Sequence, residues 1–296
     1  MSALPAIEMR PFPVRTVLMV GGDPKIESQL RDLLAPDAWA IQHASDNAAA
    51  LVMIQKKSFD LILTGEKTSG KDDIELLRKI RSLRPHTRLI ILAHESTPED
   101  VITSMREHAF SYFSRPFSPD ALALMIQLAI EVPCWDDGIE VVSATPEWIR
   151  ILARCDLKTA DRVIQFLDEI AELPNPERSA VGMAFREMLI NAIEHGGRLD
   201  PNQQVEISYL RARHMVKCRI SDPGEGFTLD EIPHAAIANP ADDPVRHLEI
   251  REAQGLRPGG FGVLLAQRLV DQLVYNEQGN EVVLIKYLDL EPRPSV

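Results

Sequence analysis

Residues 185–197, Phe-Arg-Glu-Met-Leu-Ile-Asn-Ala-Ile-Glu-His-Gly-Gly, decide how the second half of the chain is interpreted. One apolar set recurs at i, i+3, i+4 and i+7 and predicts the buried face of a helix: Phe185, Met188, Leu189 and Ala192. A polar set lies on another face of the same helix: Glu187, Asn191 and Glu194. Because unpaired carboxylates and carboxamides are costly to bury, this polar face is either solvated or one wall of a binding site. The stretch alone leaves both interpretations open.

Length and composition limit the function classes. At 296 residues the chain is long enough for two domains, and its 45% hydrophobic and 26% charged residues are typical of soluble globular proteins. A net charge of -12 argues against nucleic acid as a partner, because phosphate backbones bind to basic surfaces. The three cysteines show no Cys-x-x-Cys spacing and predict free thiols in a reducing compartment. No signal-peptide pattern or membrane-length apolar run is visible, so we predict a cytoplasmic protein that binds no membrane.

The first half alternates short apolar runs with amphipathic segments. The runs predict five strands: Val17–Val20, Ala40–His43, Leu61–Thr64, Leu89–Leu92 and Ser111–Phe113. The segments between and after them predict five helices: Pro24–Leu34, Ala48–Lys56, Asp73–Leu83, Pro98–His108 and Pro119–Glu131. Five strand–helix units in succession predict an α/β fold, a doubly wound parallel sheet with helices on both faces.

The order of these signals over residues 14–131 resembles a response-regulator receiver domain, which has a flavodoxin-like fold. Four segments carry the resemblance: residues 17–24, residues 59–63, residues 72–80 and residues 114–117.

The residues that receiver chemistry needs are replaced. The resemblance implies an acidic pair for Mg²⁺ after the first strand, where this chain has Gly21 and Gly22 and keeps only Asp23. It also implies an aspartate that accepts phosphate after the third strand, where this chain has Gly65. Glycines offer no anionic oxygen to a hard cation. We therefore predict a pseudo-receiver without phosphotransfer; the neighbouring Glu66 as an imitation of phospho-aspartate is the alternative.

A linker is predicted at residues 132–139, where a proline and a glycine follow the fifth helix. The second domain is then expected to occupy residues 140–296.

Two further signatures follow the opening helix. Residues 222–227, Asp-Pro-Gly-Glu-Gly-Phe, come directly after a strand-like run, so an acidic side chain sits beside glycines that let a flat ring approach. Residues 259–262, Gly-Gly-Phe-Gly, come directly before an apolar helix pattern, whose N-terminus suits phosphate. Residues 228–258 between them show little periodicity, which favours a lid or binding loop.

In this order, the three signatures resemble those of the Bergerat-fold (GHKL, histidine kinase-like) ATPase domain. The helix matches its N box, residues 222–227 its G1 box and residues 259–262 its G2 box. The resemblance covers about Ile139 to the C-terminus and implies an α/β sandwich whose mixed sheet carries helices on one face. Within that superfamily, residues 191–196 are most similar to the anti-sigma-factor serine/threonine kinases.

The resemblance also implies the roles of individual residues. Asn191 would bind Mg²⁺, Asp222 would accept a hydrogen bond from the adenine amine, and Glu187 would be the catalytic base toward a serine or threonine hydroxyl. Six more residues would complete the ATP site: Gly224, Gly226, Gly259, Gly260, Gly262 and Arg257.

The implied function is an ATP- and Mg²⁺-dependent protein serine/threonine kinase in a partner-switching circuit. Its partners would be regulatory proteins, an anti-sigma antagonist and/or a sigma factor, and a homodimer is compatible with this scheme. The alternative is a non-catalytic, nucleotide-gated module that sequesters a regulatory partner. Glu187 favours the kinase, because a pure binder has no use for a base there. The degenerate receiver keeps the alternative open.

Overall fold

A computed structural model describes residues 14–22, 24–34, 38–65, 68–131, 138–228, 235–236, 239, 243, 245–253 and 260–288. The chain divides into two compact units, Met1–Ser96 with Phe113–Trp135 and Thr97–Tyr112 with Asp136–Val296. Most of the predicted linker lies outside the described residues, so the boundary at 132–139 stays a prediction.

The first unit is built on a five-stranded sheet. Its strands are β1 (Arg15–Val20), β2 (Trp39–Ala44), β3 (Leu61–Leu63), β4 (Arg88–Ala93) and β5 (Ser111–Ser114). The helices of this half of the sequence are α1 (Pro24–Leu33), α2 (Asn47–Lys56), α3 (Gly70–Leu83), α4 (Pro98–Arg106) and α5 (Pro119–Glu131). The strand order is β2-β1-β3-β4-β5, with β1 parallel to β2 and β3, and β3 parallel to β4. This confirms the predicted doubly wound parallel sheet, because the first strand lies between the second and the third.

The second unit is built on a six-stranded sheet. Its strands are β6 (Ile139–Ala144), β7 (Trp148–Arg154), β8 (Gln204–Ala212), β9 (Met215–Ser221), β10 (Gln272–Tyr275) and β11 (Glu281–Tyr287). Its helices are α6 (Leu157–Ile170), α7 (Asn175–Asn191), α8 (Arg246–Ala253) and α9 (Gly262–Leu269), with a π-helical turn at Ala192–Gly196 directly after α7.

This sheet corrects the expectation of a mixed sheet. In the order β10-β11-β9-β8-β7-β6, each neighbouring pair of described strands is antiparallel. Three of the pairs are joined by short connections, which antiparallel strands allow and parallel strands do not. Helix α8 is a further difference, because the little periodicity of residues 228–258 favoured a lid or binding loop there.

The helices of the second unit cover one face of its sheet, as predicted. Alternate residues of β7 are fully buried beneath them: Ile149, Ile151 and Ala153. Helices α6, α7 and α9 contact the sheet through strands β7, β9, β10 and β11. On the other face, Glu206 accepts hydrogen bonds from Arg150 at 2.5 Å and from Arg219 at 2.6 Å. Arg219 also donates to Glu281 at 2.6 Å, so these ion pairs tie four strands together.

None of the described helices is both long and apolar enough to cross a membrane.

Candidate functional site

Helix α7 has the two faces that its sequence predicts. The apolar set is buried, with Phe185 3%, Met188 1%, Leu189 0% and Ala192 6% exposed. On the polar face, Glu187, Asn191 and Glu194 are half-buried. The polar face is therefore partly buried and still accessible to a ligand.

Glu187 and Asn191 face the start of helix α9. A Cβ atom placed on Gly262 would lie 2.6 Å from Oε2 of Glu187 and 3.7 Å from Nδ2 of Asn191. Glycine at this position lets the backbone of residues 260–262 come close to both side chains. Residues of α7 and α9, which are far apart in sequence, thus form one end of a candidate site. This end contains the half-buried carboxylate of Glu187.

The N-terminus of α9 has no side-chain cap from its flanking residue. Its first flanking residue, Phe261, provides no side-chain hydrogen bond to the first turn. The leading N–H groups of a helix have no partner within the helix and carry the positive end of its dipole. The backbone beside Glu187 and Asn191 is therefore suited to an anion.

The π-helical turn forms the other end of the site. It carries the chain from Asn191 to Gly196, where a Cβ atom would lie only 2.1 Å from Oδ1 of Asp222. A Cβ atom on Gly224 would lie 2.8 Å from the same oxygen and 2.9 Å from the Cα atom of Gly196. π-helical turns are frequent at functional sites. At Gly196 the backbone of the turn therefore lies directly against the Asp222 carboxylate, with no side chain between them.

Asp222 is a half-buried acceptor. Its Oδ1 atom accepts a hydrogen bond from the backbone N–H of Gly224 at 2.9 Å. Burial raises the pKa of Asp222 above its usual value, and the Gly224 bond offsets part of that rise. Among the described residues, Gly224 supplies the one hydrogen bond seen to this carboxylate. The group can therefore take a further donor from a ligand.

The β10–β11 hairpin holds Asp222 and the glycines in place. The backbone N–H of Asp222 donates to the carbonyl of Asn280 at 2.9 Å, and the Asn280 side chain donates to the carbonyl of Gly224 at 3.3 Å. Gly226 has a φ of +83°, and a Cβ atom there would lie 1.8 Å from the carbonyl oxygen of Gln278. Glycine at position 226 therefore allows the backbone to lie close to the β10–β11 hairpin.

An aromatic pair, Phe227 and Tyr275, follows these residues and connects them to the hairpin. The rings of Phe227 and Tyr275 meet edge to face with centroids 5.1 Å apart. The Tyr275 hydroxyl donates to the sulfur of Met188 at 3.3 Å, which links the hairpin to α7. Burial, with the Asp222 charge, raises the pKa of Tyr275 to about 12, so the ring stays neutral.

The structure brings together most of the predicted site residues. Glu187, Asn191 and Gly262 lie at one end, and Asp222 and Gly224 lie at the other, with Gly226 beside them on the hairpin. Two predicted residues, Gly259 and Arg257, lie outside the described part of the chain. Gly260 is described, with a φ of +88°, and its carbonyl accepts a hydrogen bond from the Ala236 amide at 2.8 Å.

Sequence reasoning missed two contributors. Gly196 was only part of the helix motif, although its proximity to Asp222 is what makes glycine necessary there. Asn280 was not among the predicted site residues, and its contacts depend on the antiparallel pairing of β9 with β11, in which Ser221 lies opposite Glu281. No local sequence signal marks a contact of that kind.

The first unit lacks the geometry of a phosphoacceptor site in its described part. A Cβ atom on Gly65 would lie 2.9 Å from the carbonyl oxygen of Val20, so the end of β3 is packed against the end of β1. Asp23 and Glu66 lie outside the described residues, and Glu66 as a phosphate imitation stays an untested alternative. No group of three or more His, Cys, Asp or Glu side chains gathers as a metal site within the described ranges.

Comparison with known proteins identifies both halves. Residues 17–127 match the response regulator receiver domain, and residues 153–286 match the histidine kinase-like ATPase domain. The chain therefore joins a receiver domain to a histidine kinase-like ATPase domain.

The relatives also fall into two groups. Serine-protein kinase RsbW of Bacillus subtilis is 27% identical over 157 residues, which are 52% of this chain and 88% of RsbW. RsbW of Oceanobacillus iheyensis is 28% identical over 155 residues, 51% of this chain and 87% of that protein. Transcriptional regulatory protein GlrR of Escherichia coli is 27% identical over 146 residues, and the match spans 48% of this chain and only 33% of GlrR. Among solved structures, a response regulator from Thermotoga maritima aligns with a TM-score of 0.35 at 22% identity, covering 40% of this chain and 99% of that one.

Proposed function

We propose that this protein is an ATP- and Mg²⁺-dependent protein serine/threonine kinase that acts on a regulatory protein partner. The observation that carries the proposal is the meeting of Glu187 and Asn191 with Gly262 at the N-terminus of α9, which Phe261 does not cap through its side chain. A base, a polar oxygen ligand and a phosphate-binding backbone are what phosphoryl transfer needs, since it depends on positioning and charge neutralisation. The RsbW relatives, which are serine-protein kinases by name, support the same reading.

The Asp222 end suits adenine. A carboxylate that already accepts one hydrogen bond and is half-buried gains from a second donor, such as an exocyclic amine. Gly196 and Gly224 leave flat backbone beside it. Asn191 directly precedes the π-helical turn, and Gly196 is its last residue. The turn thus separates an adenine subsite at Asp222 from a phosphate subsite at Asn191.

The residues present fit magnesium. Mg²⁺ prefers oxygen ligands and keeps several waters and phosphates, so it needs only one or two protein groups. Asn191, beside the phosphate-binding backbone, offers such an oxygen. When bound there, Mg²⁺ would neutralise charge on the phosphates.

Glu187 is the proposed catalytic base. Its carboxylate takes the proton from the incoming serine or threonine hydroxyl, while that oxygen forms a bond to the γ-phosphorus and the bond to the ADP oxygen breaks. A carboxylate is an adequate base for this step. The half-buried position of Glu187 holds it at the cleft, where a substrate side chain can reach it.

The remaining assignments complete the proposal. The receiver-like domain, residues 14–131, serves as a regulatory module without phosphotransfer, and residues 140–296 form the kinase domain. The partner is a regulatory protein with an acceptor serine or threonine, such as an anti-sigma antagonist, and a sigma factor is the second binding partner in such a circuit.

The first experiment tests binding. The parent protein is expected to bind a fluorescent ATP analogue with Mg²⁺, and Asn191→Ala and Asp222→Ala are expected to abolish that binding. If both variants bind as well as the parent, the site assignment is wrong.

The second experiment tests transfer. Glu187→Gln is expected to keep nucleotide binding and lose transfer of phosphate from labelled ATP to a co-purified partner. Glu177→Gln is the matched control, because it lies on the same helix ten residues earlier, about 15 Å away along the axis. Equal transfer by Glu187→Gln and the parent would remove Glu187 as the base, and nucleotide binding without any transfer by the parent would leave a nucleotide-gated binding module.

A further inference from the structure

The described residues of the segment between β9 and α9 make a specific contact with the proposed phosphate-binding backbone. Helix α8 begins at Arg246, and His247 in its first turn is 0% exposed. Fully buried histidines normally have defined partners, since a buried polar group without hydrogen bonds is costly. The partners of His247 show what this segment is attached to.

Asn239 holds His247 at two points. The backbone N–H of His247 donates to Oδ1 of Asn239 at 2.8 Å, and Nδ2 of Asn239 lies 2.6 Å from Nδ1 of His247. Because Oδ1 is the acceptor of the first bond, the amide nitrogen of Asn239 is the group that faces the ring. That nitrogen donates, so Nδ1 accepts and the proton of the neutral imidazole lies on Nε2. The two bonds fix the orientation of the ring.

The fixed ring meets Phe261. The ring centroids of His247 and Phe261 are 4.5 Å apart, with the planes at 90°. Edge-to-face pairs of this kind are favourable beyond the area they bury. The Phe261 side chain is 45% exposed, so it is not simply part of the hydrophobic core. Phe261 immediately precedes Gly262, the first residue of α9.

A second contact reinforces the first. The Ala236 amide donates to the carbonyl of Gly260 at 2.8 Å, and the Asn239 amide donates to the carbonyl of Ala236 at 3.2 Å. Residues 236 and 239 are thus tied both to the backbone at 260 and to His247. We call Asn239, His247 and Phe261 the clasp.

We propose that His247 is a positioning residue for the nucleotide, acting through the clasp on the backbone at residues 260–262. The inference rests on the proposed function, because the backbone it positions is the one assigned to the phosphates. Asn239 and His247 of the clasp fix the position of Phe261. Phe261 in turn fixes the orientation of the first N–H groups of α9 and the distance between Gly262 and Glu187. Loosening the clasp therefore lets a bound nucleotide leave faster.

The test measures dissociation of a fluorescent ATP analogue with Mg²⁺ from the full-length protein. His247→Ala and Phe261→Leu are each expected to raise the dissociation rate about 3- to 10-fold, the effect of losing one aromatic edge contact with its neighbouring hydrogen bonds. The double variant is expected to be no worse than the more affected single variant, because both act through one contact. Leu265→Ala, on the same helix and 37% exposed, is the matched control and should leave the rate unchanged.

Three outcomes separate the possibilities. If the parent binds nucleotide and both single variants release it at the parental rate, the clasp has no positioning role. Additive effects in the double variant would also overturn the inference, since they would indicate two independent losses. If the parent binds no nucleotide, the proposed function fails and the inference fails with it. Phe261→Leu keeps the test decisive should His247→Ala not fold, because Phe261 is largely exposed.

Discussion

Gly262 approaches Glu187 so closely that a Cβ atom on Gly262 would lie 2.6 Å from Oε2 of the glutamate. No real Cβ atom tolerates that distance, so the carboxylate or the backbone at the start of α9 would have to move. The position of the proposed base, Glu187, and that of the proposed phosphate-binding backbone therefore depend on each other. Glycine at position 262 allows both.

Gly262→Ala is expected to lower phosphotransfer and to weaken nucleotide binding, because the methyl group displaces Glu187 or shifts residues 260–262. Gly182→Ala is the matched control. Gly182 lies in α7, and a Cβ atom there meets nothing within 4 Å. The control is expected to stabilise the protein by about 0.5–1 kcal/mol, the gain of alanine over glycine within a helix. Titration with a fluorescent nucleotide and urea unfolding measure the two effects; equal behaviour of the two variants would contradict the prediction.

Gly196→Ala is expected to weaken nucleotide binding more than Gly224→Ala. The added Cβ atom would lie 2.1 Å from Oδ1 of Asp222 in the first variant and 2.8 Å in the second. Side-chain rotation of Asp222 relieves the longer contact more easily than the shorter one. Affinity for the ATP analogue measures the order, and a reversed order would show that Asp222 is not oriented by the π-helical turn.

Asp73→Asn is expected to remove a pH-dependent loss of stability in the first unit. Asp73 is 0% exposed, and burial raises its pKa to about 6. Because the folded state holds its proton more tightly than the unfolded state, the free energy of unfolding falls as pH rises from about 4 to about 6. The cost at pH 7 is about 3 kcal/mol.

Burial of Asp73 favours the neutral form of its side chain, and hydrogen bonds with Asn47, Thr64 and Thr68 offset part of that effect. Its Oδ1 accepts from Asn47 at 2.8 Å, and its Oδ2 lies 2.9 Å from the Thr68 hydroxyl, which also reaches the carbonyl of Gly65 at 2.8 Å. One hydroxyl proton cannot serve both oxygens. The amide of the variant can donate to Thr68 and accept from Asn47, so Asp73→Asn should exceed the parent in stability at pH 7 but not at pH 4. Urea unfolding at the two pH values measures this; identical pH dependence in both proteins would count against it.

Gly65→Asp is expected not to restore phosphorylation. The new side chain would meet the Val20 carbonyl at 2.9 Å, and Gly21 and Gly22 still supply no acidic pair. We expect a loss of about 1–3 kcal/mol in the free energy of unfolding, as for other overpacked sites. Mass spectrometry after incubation with acetyl phosphate should find neither the parent nor the variant phosphorylated in this unit. A phospho-aspartate in the parent would refute the pseudo-receiver.

The elements of the first unit could be predicted from sequence because each apolar run lies between clear helix signals. Strands buried on both faces are nearly continuous apolar runs, as in Val17–Val20 and Leu61–Leu63. Strand β7 gives a weaker signal, because Trp148, Arg150 and Arg154 alternate with buried residues in a strand that has only one buried face. The all-antiparallel pairing of the second sheet was missed, because pairing depends on contacts between distant segments.

The site residues that act through their side chains could be predicted from the sequence. The residues that matter because two backbone segments lie close together could not. Glu187, Asn191 and Asp222 stand out because carboxylates and carboxamides are unusual next to apolar stripes and glycines. The close approach of Gly196 to Asp222 and the clasp at His247 arise only when the hairpin, the π-helical turn and α8 are assembled. A sequence shows that a glycine is present but not what would collide with a larger residue there.

The packing of Gly65 against Val20 has a consequence for protein engineering. An aspartate at position 65 needs room between the ends of β1 and β3, and backbone lies where that room would be. A single substitution at position 65 therefore meets a steric penalty while positions 21 and 22 still offer no acidic pair. Receiver chemistry can be built into this domain only by changing both places together, and each single variant on the way is expected to be less stable than the parent or inactive.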